Sequence, residues 1–160
     1  RGRLVDSMVD AHKIVFGKRA VVYGESDLVI GLTSFLCEIG VTPVLCVCGG
    51  KTGRFETTLR SVFPDLPAET IIRDGADFAD ITHETRQLSP DFLIGNSKGY
   101  GLARELGVPL IRTGFPIHDR IGGQRVLHVG YRGTQILFDA VANAMLERKQ
   151  ETSTIGYSYL

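Results

Sequence analysis

Five short stretches of this sequence carry side chains that could do chemistry. Gly49-Gly50-Lys51-Thr52 has the ending of a phosphate-binding loop, whose backbone N–H groups and lysine neutralise phosphate. The full motif needs a glycine five positions before Gly50, where Leu45 stands, so the stretch reads as a tight turn. His118-Asp119 offers two members of a catalytic triad, but sequence neighbours seldom face each other and no nucleophile is placed. Asp119 and Arg120 read better as holding their loop by charged hydrogen bonds. Cys46 and Cys48 alternate along an apolar run and share a face. Cluster-forming thiols usually come from loops at Cys-x-x-Cys spacing, so buried free thiols fit better. Gly24-Glu25-Ser26-Asp27 stands where a dinucleotide fingerprint would stand, but it lacks the glycines, and its two acids would repel a pyrophosphate. Asp6 and Asp10, four apart on one helix face, repel each other unless a cation or a partner's basic group lies between them.

The elements that position these residues follow from the apolar pattern. Leu4, Val5, Met8, Val9 and His12 predict an amphipathic helix over 3–16. Compact apolar runs predict strands at 19–23, 43–48, 69–73, 91–94 and 110–112. Helices are expected at 28–39, with the 24–27 turn as N-cap, and at 54–63, 77–88, 98–106 and 134–148. A long loop spans 113–133, and the tail from 150 to 160 shows no apolar periodicity. Alternating strands and helices make this an α/β fold: one doubly wound, mainly parallel, Rossmann-like sheet of about five strands with helices on both faces, over 1–160.

Composition narrows the function. Eighteen basic residues balance eighteen acidic ones, which gives no electrostatic case for nucleic acid or an anionic membrane. No apolar run approaches the ~20 residues of a membrane span. Three cysteines in 160 residues suit reduced thiols in the cytoplasm. The chain opens at Arg1 and reads as a piece of a longer one.

The sequence resembles the C-terminal portion of a nitrogenase component 1 subunit, on the β side. The likeness rests on Arg1-Gly2-Arg3-Leu4-Val5-Asp6, Asp10-Ala11-His12, Gly17-Lys18-Arg19 and Pro90-Asp91-Phe92-Leu93-Ile94-Gly95-Asn96-Ser97. It continues through Val108-Pro109-Leu110-Ile111-Arg112, Gly114-Phe115-Pro116-Ile117, Asp119-Arg120 and Gly130-Tyr131. Two branches are similar: the catalytic molybdenum–iron protein and the scaffold on which the iron–molybdenum cofactor is assembled. Val129-Gly130-Tyr131-Arg132-Gly133-Thr134 and the compact stretch 121–125 look more like the scaffold.

The resemblance implies a parent subunit of three Rossmann-like domains, of which this is the last. It implies an α-type partner, a second β-type subunit and an ATP-dependent iron protein. The parent complex would carry an iron–sulfur cluster and the iron–molybdenum cofactor or its precursor. The cluster cysteines lie in the absent N-terminal part, so no cofactor is expected here. Asp6 and Asp10 match positions that help bind a cation between two β chains. This fragment is therefore expected to be structural rather than catalytic. Its partner contacts fall on Phe115, Ile117, Arg120 and Tyr131, an aromatic and arginine mixture typical of interfaces. Two alternatives stay open: a small nucleotide-binding α/β enzyme, and a redox-sensing protein using Cys46 and Cys48.

Overall fold

The structure, a computed structural model, describes residues 1–154. The strands are β1 (Arg19–Gly24), β2 (Thr42–Cys48), β3 (Ile71–Asp74), β4 (Phe92–Gly95) and β5 (Leu110–Arg112). The helices are α1 (Gly2–Val15), α2 (Ser26–Glu38), α3 (Phe55–Val62), α4 (Phe78–Leu88), α5 (Tyr100–Leu106) and α6 (Gly130–Thr152). All strand pairings are parallel, in the order β3-β2-β1-β4-β5. The chain steps outward from β1 to β3, then returns to lay β4 on the other side of β1. That reversal leaves a crevice at the carboxyl ends of β1 and β4, where doubly wound folds meet their ligands or partners.

Side-chain alternation along each strand builds two cores. Ala20, Val22, Cys46, Cys48, Phe92 and Ile94 face one way, against Leu36, Leu59, Phe138 and Val141 of the helices. Val21, Tyr23, Leu45, Val47 and Leu93 face the other, against Ile81, Leu102 and Ala103. Strands buried on both faces need near-continuous apolar runs, which explains why the sequence pattern was readable. Cys46 and Cys48 share a face, as alternation requires. No helix among the described residues is long and apolar enough to cross a membrane.

Most element boundaries shift by a residue or two from those expected, and four shifts bear on the site. Helix α2 starts at Ser26, with Glu25 at the N-cap position and no side-chain cap. The Asp27 carboxylate accepts the Leu28 N–H at 2.8 Å from inside the first turn, so the acids steady the helix without forming the expected cap. Strand β3 runs from Ile71 to Asp74, because the Thr70 N–H closes a turn on the Pro67 carbonyl at 3.1 Å. Helix α6 begins at Gly130, shortening the expected loop. Gly133 lies inside that helix, where a Cβ would come within 2.6 Å of the His128 backbone. The expected tail begins as helix, since α6 continues to Thr152; residues 155–160 lie outside the described residues.

Candidate functional site

The loops beyond β4 and β5 are joined in one polar knot. Tyr23 ends β1 beneath them, buried, and donates its hydroxyl to the Asn96 carbonyl at 2.6 Å. Burial pushes its phenol well above the ordinary value, so it stays a donor. The 95–99 turn must hug this ring: a Cβ at Gly99 would lie 1.9 Å from the Tyr23 oxygen. Only glycine permits that approach. The Asn96 side chain accepts the Lys98 N–H at 3.1 Å and donates to the Phe115 carbonyl at 3.0 Å. The Ser97 N–H donates to the Pro116 carbonyl at 3.0 Å.

Asp119 is the centre of the knot. Arg112, the last residue of β5, donates from Nε at 2.9 and 3.0 Å and from Nη2 at 2.6 Å. The Ser97 hydroxyl donates to the same carboxylate and accepts the His118 N–H at 3.2 Å. The Arg112 hydrogen bonds, then that from Ser97, hold the Asp119 carboxyl well below the usual carboxylate range. The Tyr100 ring covers the Arg112 guanidinium, 5.8 Å from its centroid. Gln124 fastens the far side by donating to the Ile117 carbonyl at 2.5 Å.

This arrangement is not a triad. Ser97 bonds the carboxylate directly, with no imidazole between them, and Arg112 already saturates that carboxylate. A nucleophile needs a base that can take its proton, and a carboxylate with so depressed a pKa is a poor one. The knot positions a loop.

The loop displays a mixed apolar and cationic surface. Phe115 is 69% exposed, Arg120 is exposed, and Tyr131, in the first turn of α6 where the loop ends, is 62% exposed. Ile117 is the exception among the expected contacts. It is 2% exposed, and a Cβ on Gly123 would fall 2.3 Å from its Cγ2. Its side chain is spent on packing the loop against itself, which removes it from the contact surface. Arg120 holds the loop as expected, donating from Nη1 to the Asp119 carbonyl at 2.7 Å with its guanidinium 3.7 Å from the carboxylate, while Arg112 makes the closer pair with that carboxylate.

The other half of the strand-end rim is closed on itself. Asp74, at the end of β3, accepts the N–H groups of Thr52 and Gly53 at 2.7 and 2.6 Å. Those bonds, that from Thr52 first, keep its carboxyl below the ordinary value. A phosphate at Gly49-Gly50-Lys51-Thr52 would need such donors, and Asp74 already occupies them. The turn reading therefore stands. Asp77 caps α4 by accepting from Ala79 and Asp80 at 2.8 and 2.9 Å. Between these turns and Asn96 lies a cavity of about 310 Å³, with Glu25, Asp77 and Lys98 at its mouth.

The cysteines do not fit an iron–sulfur cluster. Cys37 lies half-buried on α2 and Cys46 and Cys48 buried on β2, and burial raises all three thiols above the ordinary value. Cys46 shares a 3.3 Å hydrogen bond with Thr33, and Cys48 donates to the Gly50 carbonyl at 3.0 Å. Asp6 and Asp10 are both exposed on α1. Among the described residues no third ligating side chain of this chain joins them, so a cation there would need donors from another chain.

The sequence singles out Asp119, and of the expected contacts Phe115, Arg120 and Tyr131 are exposed, but it does not mark Tyr23, Asn96, Ser97 and Arg112 as supports. One signal was present: an arginine closing a strand seven residues before an aspartate, with Asn-Ser closing the neighbouring strand.

A family model described as "Nitrogenase component 1 type Oxidoreductase" matches residues 1–146. The nitrogenase molybdenum-iron protein beta chain of Methanothermobacter thermautotrophicus is 38% identical over 152 residues, covering 94% of this chain and 33% of that one. The protein of the same name from Azotobacter vinelandii is 36% identical over 160 residues, covering 94% of this chain and 31% of its own length. A solved structure titled "Nitrogenase Cp1 at pH 6.5" superposes with a TM-score of 0.93 at 28% identity, covering 99% of this chain and 35% of its own. The chain thus spans about a third of the length of the relatives it matches.

Proposed function

The chain belongs to the nitrogenase component 1 type oxidoreductases, as a β-type domain, and from that premise we propose that it is the C-terminal domain of a β-type subunit and works structurally. It packs on an α-type subunit through the 113–133 surface and so positions the domains that carry clusters. The parent complex, cytoplasmic and containing a second β-type subunit, would receive electrons from an iron protein and hold the iron–sulfur cluster and the iron–molybdenum cofactor elsewhere. The observation that carries this reading is the knot around Asp119, which ties the loop's polar atoms beneath while leaving Phe115, Arg120 and Tyr131 exposed. On α1, Asp6 and Asp10 supply two oxygens toward a cation completed by the second β-type subunit.

The molybdenum-iron beta chain names of the relatives favour the catalytic branch for the parent. Residues 129–134 support the second reading, the cofactor-assembly scaffold. Two experiments test these readings. Phe115→Ala or Arg120→Ala in the full-length subunit should weaken binding to the α-type subunit about tenfold or more; unchanged binding refutes the interface. For the branch, the anaerobically purified complex is given the iron protein and ATP. Dinitrogen reduction makes it catalytic, whereas a transferable cofactor precursor without reduction makes it a scaffold.

A further inference from the structure

The reversal of strand order opens a crevice at the carboxyl ends of β1 and β4, and the cavity of about 310 Å³ lies there. Turns from three strands wall it: Glu25 follows β1, Ala76 and Asp77 follow β3, and Asn96 and Lys98 follow β4. Doubly wound folds bind their small ligands at this point. Much of the remaining lining is apolar, from Tyr23, Val47, Phe78 and Ile81. The Tyr23 and Phe78 rings meet edge to face, with centroids 5.6 Å apart. The volume stands at the lower end of small-molecule sites, roughly 300–1,000 Å³, which suits a compact ligand rather than a dinucleotide.

The charges at the mouth are uncommitted. Among the described residues neither the Glu25 carboxylate nor the Lys98 ammonium joins an ion pair. Glu25 occupies the N-cap position of α2 without making a side-chain cap. Asp77 spends only Oδ1 on capping α4, and its Oδ2 has no hydrogen bond among the described residues. Charges of both signs thus stand at one cavity without pairing with each other. Two carboxylates repel a free anion, and an amine alone would leave Lys98 unmatched. The complement is a molecule that carries both signs.

We infer that this crevice binds a small zwitterion of amino-acid type with an apolar side chain. Its ammonium goes to Glu25 and the free oxygen of Asp77, and its carboxylate to Lys98. Its side chain lies against Tyr23, Val47, Phe78 and Ile81. None of these residues belongs to 113–133, so the inference stands apart from the partner reading.

The test is calorimetric titration of the full-length subunit with L-phenylalanine and L-leucine. Two half-molecules are run beside them: phenethylamine, which lacks the carboxylate, and phenylpropionate, which lacks the amine. At least one amino acid should bind saturably, and the half-molecules about tenfold more weakly or worse. Glu25→Gln should weaken both amino-acid and phenethylamine binding by about tenfold. Lys98→Met should weaken amino-acid binding alike but leave phenethylamine at least as tight. Both side chains are exposed, so the unliganded variants should melt as the wild type does. No saturable binding of either amino acid overturns the inference. Phenethylamine binding as tightly as phenylalanine makes this a cation site, and phenylpropionate binding more tightly makes it an anion site; either result overturns it. Amino-acid binding that survives both Glu25→Gln and Lys98→Met lies elsewhere in the subunit and overturns it too.

Discussion

The two halves of the strand-end rim use the same chemistry to opposite ends. Over β2 and β3, Asp74 and Asp77 occupy the free N–H groups of the 52–53 turn and of the first turn of α4. The carboxylates are spent on their own loops, and an incoming anion finds those N–H groups taken. Over β4 and β5, a carboxylate is again spent internally, on Arg112 and Ser97. That bond lies beneath the loop rather than along its rim, so the outer surface is left to Phe115, Tyr131, Ile121 and Val129. A chain with no net charge thus acquires one closed, acid-capped edge and one open edge of arginines and apolar side chains. In the proposed function only the second is covered by a partner.

The comparison can be broken most directly at Asp119. Asp119→Ala leaves Arg112 without its partner and the Ser97 hydroxyl without its acceptor, so the 113–121 loop loses its placement. Binding to the α-type subunit should fall by on the order of 30-fold or more, as for a central interface position, measured by titration with the full-length variant. Next comes Phe115→Ala, expected to cost about tenfold in binding while stability changes by less than about 0.5 kcal/mol. A large loss of stability would mean that Phe115 supports the fold rather than the partner.

Asp74→Asn sharpens the other side. It should lower the melting temperature at neutral pH yet leave binding unchanged. A carboxyl whose folded pKa is depressed stabilises above its unfolded value, near ~3.9. That stabilisation disappears as pH falls through the lower folded value. The wild-type advantage over Asp74→Asn should therefore be full at pH 7 and fade below the ordinary carboxylate range in acid melts. The smallest effect is expected from Tyr23→Phe, which removes the bond to the Asn96 carbonyl. It should cost about 1 kcal/mol, read in denaturant unfolding, with a modest loss of binding because the 95–99 turn supports the knot.

The sequence revealed the fold more fully than the site, for physical reasons. Strands buried on both faces are continuous apolar runs, and glycines and prolines mark their ends, so all five strands were visible. Pairing order was not, because β4 returning beside β1 is a matter of tertiary packing. Boundaries shifted where local bonds went unforeseen: the Thr70 N–H to the Pro67 carbonyl ahead of β3, Asp27 inside the first turn of α2. Phe115, Arg120 and Tyr131 stood out because aromatic and arginine side chains mix in that stretch, and all three are exposed. The supports were not, since Tyr23 and Ser97 meet Asn96 and Asp119 across 73 and 22 residues. Ile117 went inward because apolar character alone does not say which side of a loop a residue takes.

The most direct test is hydrogen exchange on the full-length subunit, free and bound to its α-type partner. The account predicts new protection in residues 114–133, with residues 49–53 and 74–80 unchanged. Protection at 49–53 and 74–80 with none at 114–133 would contradict it and make the acid-capped edge the covered one.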